Sequence, residues 1–357
     1  MVLLAEPSNA VADGVPLSQP FLNGRELELV GEVLRSGRLC HGSMLTRFEQ
    51  SVATFVDARH AVAVANRITA LQIAARAIGW GPGDEIVASP LSAASAVAVA
   101  RATGASIVYV DVEPAGGHLD LAAVDAVVTA RTRGLLAVDA FGWPIDHDAV
   151  AALASAHRLT VLELACEAFG ARRGERAVGS GTAWSTVFAA SPDGLLTTGE
   201  GAMLCTDDDA TAAAWRELVA GDHHLSDVAS AIGVAQLEKL PRTLAMRQLV
   251  ADEYTRHLDG VPGLLTPLPD HAGAVRSWGA YWILLDEDVD PTRVAAELAA
   301  RGVETARYRS SFDHSDGVFP HAESIARRAL AIPFFPHMSP QQQVRVVSEL
   351  CDVVAAH

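Results

Sequence analysis

Covalent chemistry on an amine needs a lysine, and this 357-residue chain has one: of its 27 Lys and Arg residues, only Lys239 is a lysine. Any reaction that depends on a lysine amine has that single place to go. Cys40, Cys166, Cys205 and Cys351 are scattered without C-x-x-C or Cys/His spacing, so neither a disulfide framework nor a zinc site is expected. His321 and His337 have no acids at ligand spacing, and no metal is expected either. Glu163 and Glu167 bracket Leu164, Ala165 and Cys166 at the end of an apolar run. A carboxyl placed there has its charged form disfavoured and suits acid/base work. The 43 acidic residues leave a formal charge of −16, which speaks against binding a phosphate backbone. No apolar run approaches the roughly 20 residues of a membrane span, and the opening MVLLAEPSNAVADG lacks a basic segment. The expectation is a cytoplasmic protein with no nucleic acid or membrane partner.

The elements that must position these residues alternate. RELELVGEVLR and MLTRFEQSVATFV have the spacing of amphipathic helices, and AVAVA reads as a strand followed by the helix TALQIAARAIGW. Strand, helix, strand, helix continues through IVAS, SIVYVDV, GLLAVDAFG and LTVLEL. Such strongly apolar strands predict an α/β fold with a mostly parallel sheet covered by helices on both faces. A helical stretch of about 30 residues then carries Pro241 as an expected kink or break. The remainder predicts a smaller α+β domain. The division is 1–245 for the large domain, with 1–16 as a flexible arm, and 246–357 for the small one.

GSMLTRFEQSVATFV, TALQIAARAIGWGPGDEIV, FGWPID, LLTTGEGAML, AIGVAQLEKL and VFPHAESIARRALAIPFFPHMS together resemble the DegT/StrS family of pyridoxal-phosphate (PLP) sugar aminotransferases. The resemblance covers roughly 17–355. It implies the fold of type I PLP enzymes, with homodimers whose active sites lie at the subunit interface. It also implies a lysine just before LTTGEG, where this chain has Gly194. The family's ring-nitrogen aspartate falls on Leu164 and its glutamine on Glu167. Its phosphate turn falls on Asn66-Arg67-Ile68, and its stacking aromatic on Ala93. The residues that reach the partner's site fall on Asp222 and His224.

On these departures the reading expects no cofactor and a vacated pocket. Its catalytic candidates are Glu167, Asp139 and Glu163; its substrate-binding candidates are Arg67, His223, His224, Tyr308 and Arg307. Several have a plainer role: Glu167 pairing with Arg67, Glu163 as a glutamate the family itself keeps, Asp139 capping a strand end or turn, His223 and His224 solvated in a polar loop. Trp143 and Trp282 could line a ligand, but a tryptophan in such segments is more often core. The favoured function is a PLP-independent enzyme performing isomerisation, cyclisation or elimination on a sugar-like or natural-product intermediate. Alternatives are a non-catalytic partner or regulatory subunit, working with an active paralogue, and a PLP-dependent sugar aminotransferase.

Overall fold

Short apolar runs bounded by Gly, Pro and Asp cannot extend into long helices, and they pair instead as strands. The computed structural model describes residues 14–114, 116–181, 184–220, 223–267, 273–308 and 318–357. In chain order the first strands are β1 (His60–Val64), β2 (Glu85–Ala88), β3 (Ser106–Tyr109), β4 (Thr132–Val138) and β5 (Thr160–Leu164). A two-residue hairpin, β6 (Arg172–Arg173) and β7 (Arg176–Ala177), precedes β8 (Ser185–Ala189) and β9 (Ala202–Thr206). Seven of these form one sheet in the order β1-β9-β8-β5-β4-β2-β3. Pairing is parallel from β8 through β5, β4 and β2 to β3, and antiparallel where β9 meets β8 and β1.

The helices in this part are α1 (Gly24–Ser36), α2 (Ser43–Phe55), α3 (Arg67–Ile78), α4 (Ala94–Ala102), α5 (Leu121–Val127), α6 (His147–His157) and α7 (Asp209–Val219). Their starts are set by side-chain caps: Asn23 with Glu26 forms a capping box on α1, and Asn66, Asp120, Asp146 and Asp208 cap α3, α5, α6 and α7. Side chains alternate across β5, so Leu162 and Leu164 join the core under α3, α4 and α7. Val161 joins the opposite core with residues of α5 and α6. The parallel sheet covered on both faces is therefore as expected.

Helix α8 (Asp227–Leu258) runs unbroken through Pro241, unlike the expected kink or break. Buried Leu237 and Leu240 before the proline, and Thr243 and Arg247 after it, hold the helix by packing on both sides. That outweighs the one backbone hydrogen bond the proline removes. The first half of α8 contributes Val234, Leu237 and Leu240 to the core around α1 and α2. Its second half contributes Val250, Tyr254 and Leu258 to a separate core.

That second core belongs to a smaller sheet. Its strands are β10 (Leu264–Leu265), β12 (Tyr281–Leu285), β13 (Ala306–Arg307) and β14 (Ala329–Ile332), in the order β10-β12-β14-β13. Helices α9 (Pro291–Ala300), α10 (Pro320–Arg328) and α11 (Pro340–Val354) accompany it. β11 (Ala274–Val275) pairs instead with β6 and ties the two parts together. Of the expected flexible arm, residues 14–16 are described, and Val15 is bound: its amide donates to the Gly302 carbonyl at 2.7 Å.

Candidate functional site

The alternation along β5 separates the two glutamates. Glu163 points to the α6 side and is fully buried. His147 Nε2, at the start of α6, lies 2.8 Å from its Oε1, while Thr186 Oγ1 at 2.6 Å and Trp184 Nε1 at 3.2 Å donate to Oε2. These partners hold the Glu163 carboxyl below its usual range against the desolvation that raises it. Asp139 lies in the same buried group. Its Oδ1 accepts the Ile145 amide at 2.7 Å, and among the described residues its Oδ2 has no hydrogen-bond partner. Burial and the Glu163 charge push Asp139 well above the usual carboxyl value. Asp139 therefore keeps its proton more readily and Glu163 gives its own up more readily, with both buried beside His147 on the α6 side of the sheet.

Glu167 sits in the turn after β5, where β12 of the small sheet reaches it. Its Oε2 accepts Trp282 Nε1 from β12 at 3.2 Å, and its carbonyl accepts Ser277 Oγ at 3.0 Å. Burial pushes this carboxyl up to about 7; the Trp282 bond opposes that and the charge of Asp193 adds to it. The Arg67 guanidinium lies beside the Cys166 sulfur and steadies the thiolate, although burial dominates and raises that thiol. No Arg67–Glu167 ion pair is present among the described residues, contrary to the plainer role considered for them.

Phe141, Trp282 and Tyr308 form an aromatic wall, with ring centroids 5.3 to 5.6 Å apart. The Tyr308 hydroxyl donates to the Leu91 carbonyl, joining the small sheet to the loop before α4. Phe141 holds its place in a left-handed backbone (φ 57°) that a non-glycine residue adopts only when its surroundings require it. Sequence reasoning missed Phe141, and it weighed Trp282 as lining a ligand or, more plainly, the core without joining it to Glu167, a contact made only by the packing of β12 on the turn after β5.

The other candidates divide. His224 bridges to Val64 and the His223 carbonyl accepts the Ala65 amide at 2.9 Å, so both histidines lie beside the start of α3 and Arg67. The His224 ring packs edge-on to His41 at 4.7 Å. Arg307 is turned away: its Nη1 donates to Thr292 Oγ1 of α9 at 2.7 Å. Asp222 lies outside the described residues.

The positions matching the family's cofactor contacts can be read one by one. Asn66 Oδ1 accepts the Thr69 amide at 2.9 Å and caps α3, whose first residues are Arg67 and an exposed Ile68. Leu164 is packed in the core and Ala93 begins α4 without a side-chain cap. Gly194 is confined: a Cβ there would lie 3.2 Å from the Leu196 carbonyl and 3.3 Å from that of Ser191. Lys239 is engaged elsewhere. Its ammonium forms an ion pair with Glu26 and lies 4.9 Å over the Phe21 ring. Among the described residues no group of three His, Cys, Asp or Glu side chains could hold a metal ion, and no helix is long and apolar enough to cross a membrane.

The DegT/DnrJ/EryC1/StrS aminotransferase family matches residues 20–351. A GDP-perosamine synthase from Caulobacter vibrioides is 31% identical, over 82% of this chain and 83% of its own. The aminotransferase TlmJ from Streptoalloteichus hindustanus superposes with a TM-score of 0.91 at 29% identity, over 96% of this chain and 99% of its own. DesV from S. venezuelae, solved in complex with a ketimine intermediate, gives a TM-score of 0.88 at 28% identity over 96% and 98%.

These likenesses bear out the resemblance and the type I fold, and they correct two expectations. A PLP-independent enzyme performing isomerisation, cyclisation or elimination, and a pocket with no cofactor, are both overturned by a family of aminotransferases with relatives that act on sugars. The error came from letting substitutions at Gly194, Leu164, Asn66, Arg67, Ile68 and Ala93 outweigh a scaffold kept over most of the chain. What the residues fit is narrower. Arg67 and the start of α3 suit a phosphate, whereas Gly194 and the engaged Lys239 do not suit a lysine-linked group.

Proposed function

The chain belongs to the DegT/DnrJ/EryC1/StrS aminotransferase family, and we propose that it serves sugar amination with a pyridoxal-type phosphate cofactor held without a lysine link. The observation that carries this reading is one cluster of side chains. Glu167, a carboxyl poised at about 7, lies beside Cys166 and the Arg67 guanidinium at a helix start, next to the Phe141, Trp282 and Tyr308 rings. When bound, such a cofactor supplies the electron sink and the carrier of the amino group.

The chain's own residues have distinct tasks in this proposal. Arg67 and the N–H groups opening α3 hold the phosphate. Glu167 takes and returns a proton at Oε1, the oxygen left free by the Trp282 bond, and is half protonated near neutral pH. The aromatic wall keeps water from that oxygen. His223 and His224, at the mouth, meet a sugar-like substrate. Asp139 and Glu163 stabilise the sheet from behind rather than act on substrate.

The proposal extends to assembly and setting. The division at 245/246 falls inside α8, so the two parts share one helix. A homodimer covers Leu27 and Leu34, seven residues apart on one face of α1 and more than half exposed. A cytoplasmic setting accompanies it.

The test is a titration of the purified protein with pyridoxal phosphate and pyridoxamine phosphate, followed by calorimetry. Saturable binding that falls at least tenfold in Arg67→Ala supports the reading, as does an unchanged protein mass after borohydride treatment. Absence of binding for both compounds, or a reduced adduct on Lys239, overturns it.

A further inference from the structure

Glu167 is gripped by the small sheet at more points than a surface carboxyl needs. Its carbonyl oxygen accepts Ser277 Oγ and is boxed between Gly142 and Gly279, where an added Cβ would stand 2.9 and 2.7 Å away. Both lie closer than real Cβ atoms come to backbone oxygen, so the two glycines are what allow the approach. Its carboxyl takes the Trp282 indole N–H at 3.2 Å. Ser277, Gly279 and Trp282 all belong to one short segment entering β12.

That segment is itself held rigid. The buried Arg247 of α8 donates from Nη1 to the carbonyls of Trp278 at 2.9 Å and Gly279 at 3.1 Å. Arg276 lies 3.7 Å over the Trp143 ring and 4.5 Å over that of Trp278. Trp278 adopts φ 55°, and its Nε1 donates to Gln248 Oε1 at 2.9 Å. A left-handed tryptophan is maintained only by surroundings that over-determine it. Stacking, charge and hydrogen bonds therefore make residues 276–282 a splint between α8 and the turn bearing Glu167.

We propose that Trp282 is a positioning residue for Glu167: its indole N–H fixes one carboxyl oxygen, leaves the other for proton exchange, and through the 276–282 splint makes the acid's orientation depend on the seating of the small sheet. This inference rests on the reading of Glu167 as the proton-exchanging group. The charged and titratable groups facing Glu167 are Asp193 after β8, Cys166 with Arg67 at α3, and Tyr308 after β13. Asp193 disfavours the carboxylate, and an indole N–H favours it by donating to it. Among these neighbours Trp282 alone donates to the carboxyl.

The test is Trp282→Phe, which keeps the ring in the wall and removes the N–H. The Glu167 carboxyl is followed by ¹³C NMR of glutamate-labelled protein, with Glu167→Gln assigning the signal by its disappearance. A hydrogen bond to a charged group is worth about a tenfold change in ionisation, so the midpoint should rise by about 1 pH unit. Arg247→Met, which loosens the splint without touching the carboxyl, should broaden the Glu167 signal and raise the midpoint in the same direction. A Glu167 midpoint unchanged in Trp282→Phe overturns the inference, as does an unchanged signal in Arg247→Met if Trp282→Phe does not fold. Full amination activity in Glu167→Gln overturns the acid–base reading alone, while the NMR shift would still establish the positioning.

Discussion

Replacing Lys239 by methionine keeps the aliphatic stem and removes the only lysine amine in the chain. In the structure that amine neutralises Glu26, and the two side chains are 10% and 9% exposed. Glu26 also accepts Gln236 Nε2 at 2.6 Å and the Asn23 amide at 2.9 Å, so it closes the cap of α1 onto α8. Breaking a buried pair by removing one partner costs roughly 3–5 kcal/mol, because the other charge stays behind. The two remaining donors place Lys239→Met at the lower end, about 3 kcal/mol. Urea unfolding at pH 7.5 measures it, and adding Glu26→Gln should recover most of the loss. The ion pair helps hold the Glu26 carboxyl below its usual 4.5, against desolvation. Its contribution is therefore present above pH 4.5 and is lost as pH falls through the depressed value, so the deficit of Lys239→Met should narrow in acid. A Lys239→Met protein as stable as the parent at pH 7.5 would refute the structural role. A pyridoxal phosphate adduct on Lys239 would refute it independently.

Further consequences follow from the same geometry. Glu167 rises from 4.5 to about 7 on folding, so its ionisation opposes the folded state increasingly as pH climbs between those values. Glu167→Gln should stabilise the protein by up to about 3 kcal/mol at pH 8 and by nothing below pH 4.5, read from thermal unfolding across pH. His147→Leu strips the fully buried Glu163 of its imidazole partner and should cost about 1–3 kcal/mol in urea unfolding near neutral pH; a loss under about 0.5 kcal/mol would show that this hydrogen bond does not support the buried carboxyl. Gly279→Ala puts a methyl 2.7 Å from the Glu167 carbonyl and should destabilise by about 2 kcal/mol, with a midpoint shift of the Glu167 titration as its signature.

The fold was legible because it is written in periodicities. Apolar runs at β1, β4, β5 and β9 have nowhere to go but a covered sheet, and caps such as Asn66 and Asp146 mark helix starts locally. The site was legible only in part. Glu167 and Tyr308 were singled out and lie near each other, yet Trp282 was weighed only as a ligand-lining or core residue, and nothing in the sequence joins it to a glutamate 115 residues away. Asp139 and Glu163 were grouped with Glu167 because the resemblance places all three around the family's cofactor pocket. Strand alternation sends Glu163 to the opposite face, where His147 and Asp139 meet it. Arg307 was grouped with Tyr308 for the same reason, and β13 turns it toward α9.

The count of one lysine shows the same division from another side. Sequence alone determined that an amine chemistry had one candidate, and that the scaffold was that of an aminotransferase. Only the tertiary structure decided where that amine lies: paired with Glu26, under the N-terminal segment, where the low exposure of both groups makes separation costly. Periodicity and composition are properties of neighbours along a chain, so they specify elements. A carboxyl's proton affinity depends on what surrounds it in space. For Glu167 that means burial first, then the Trp282 indole and the charge of Asp193, which residues far apart in the sequence create together.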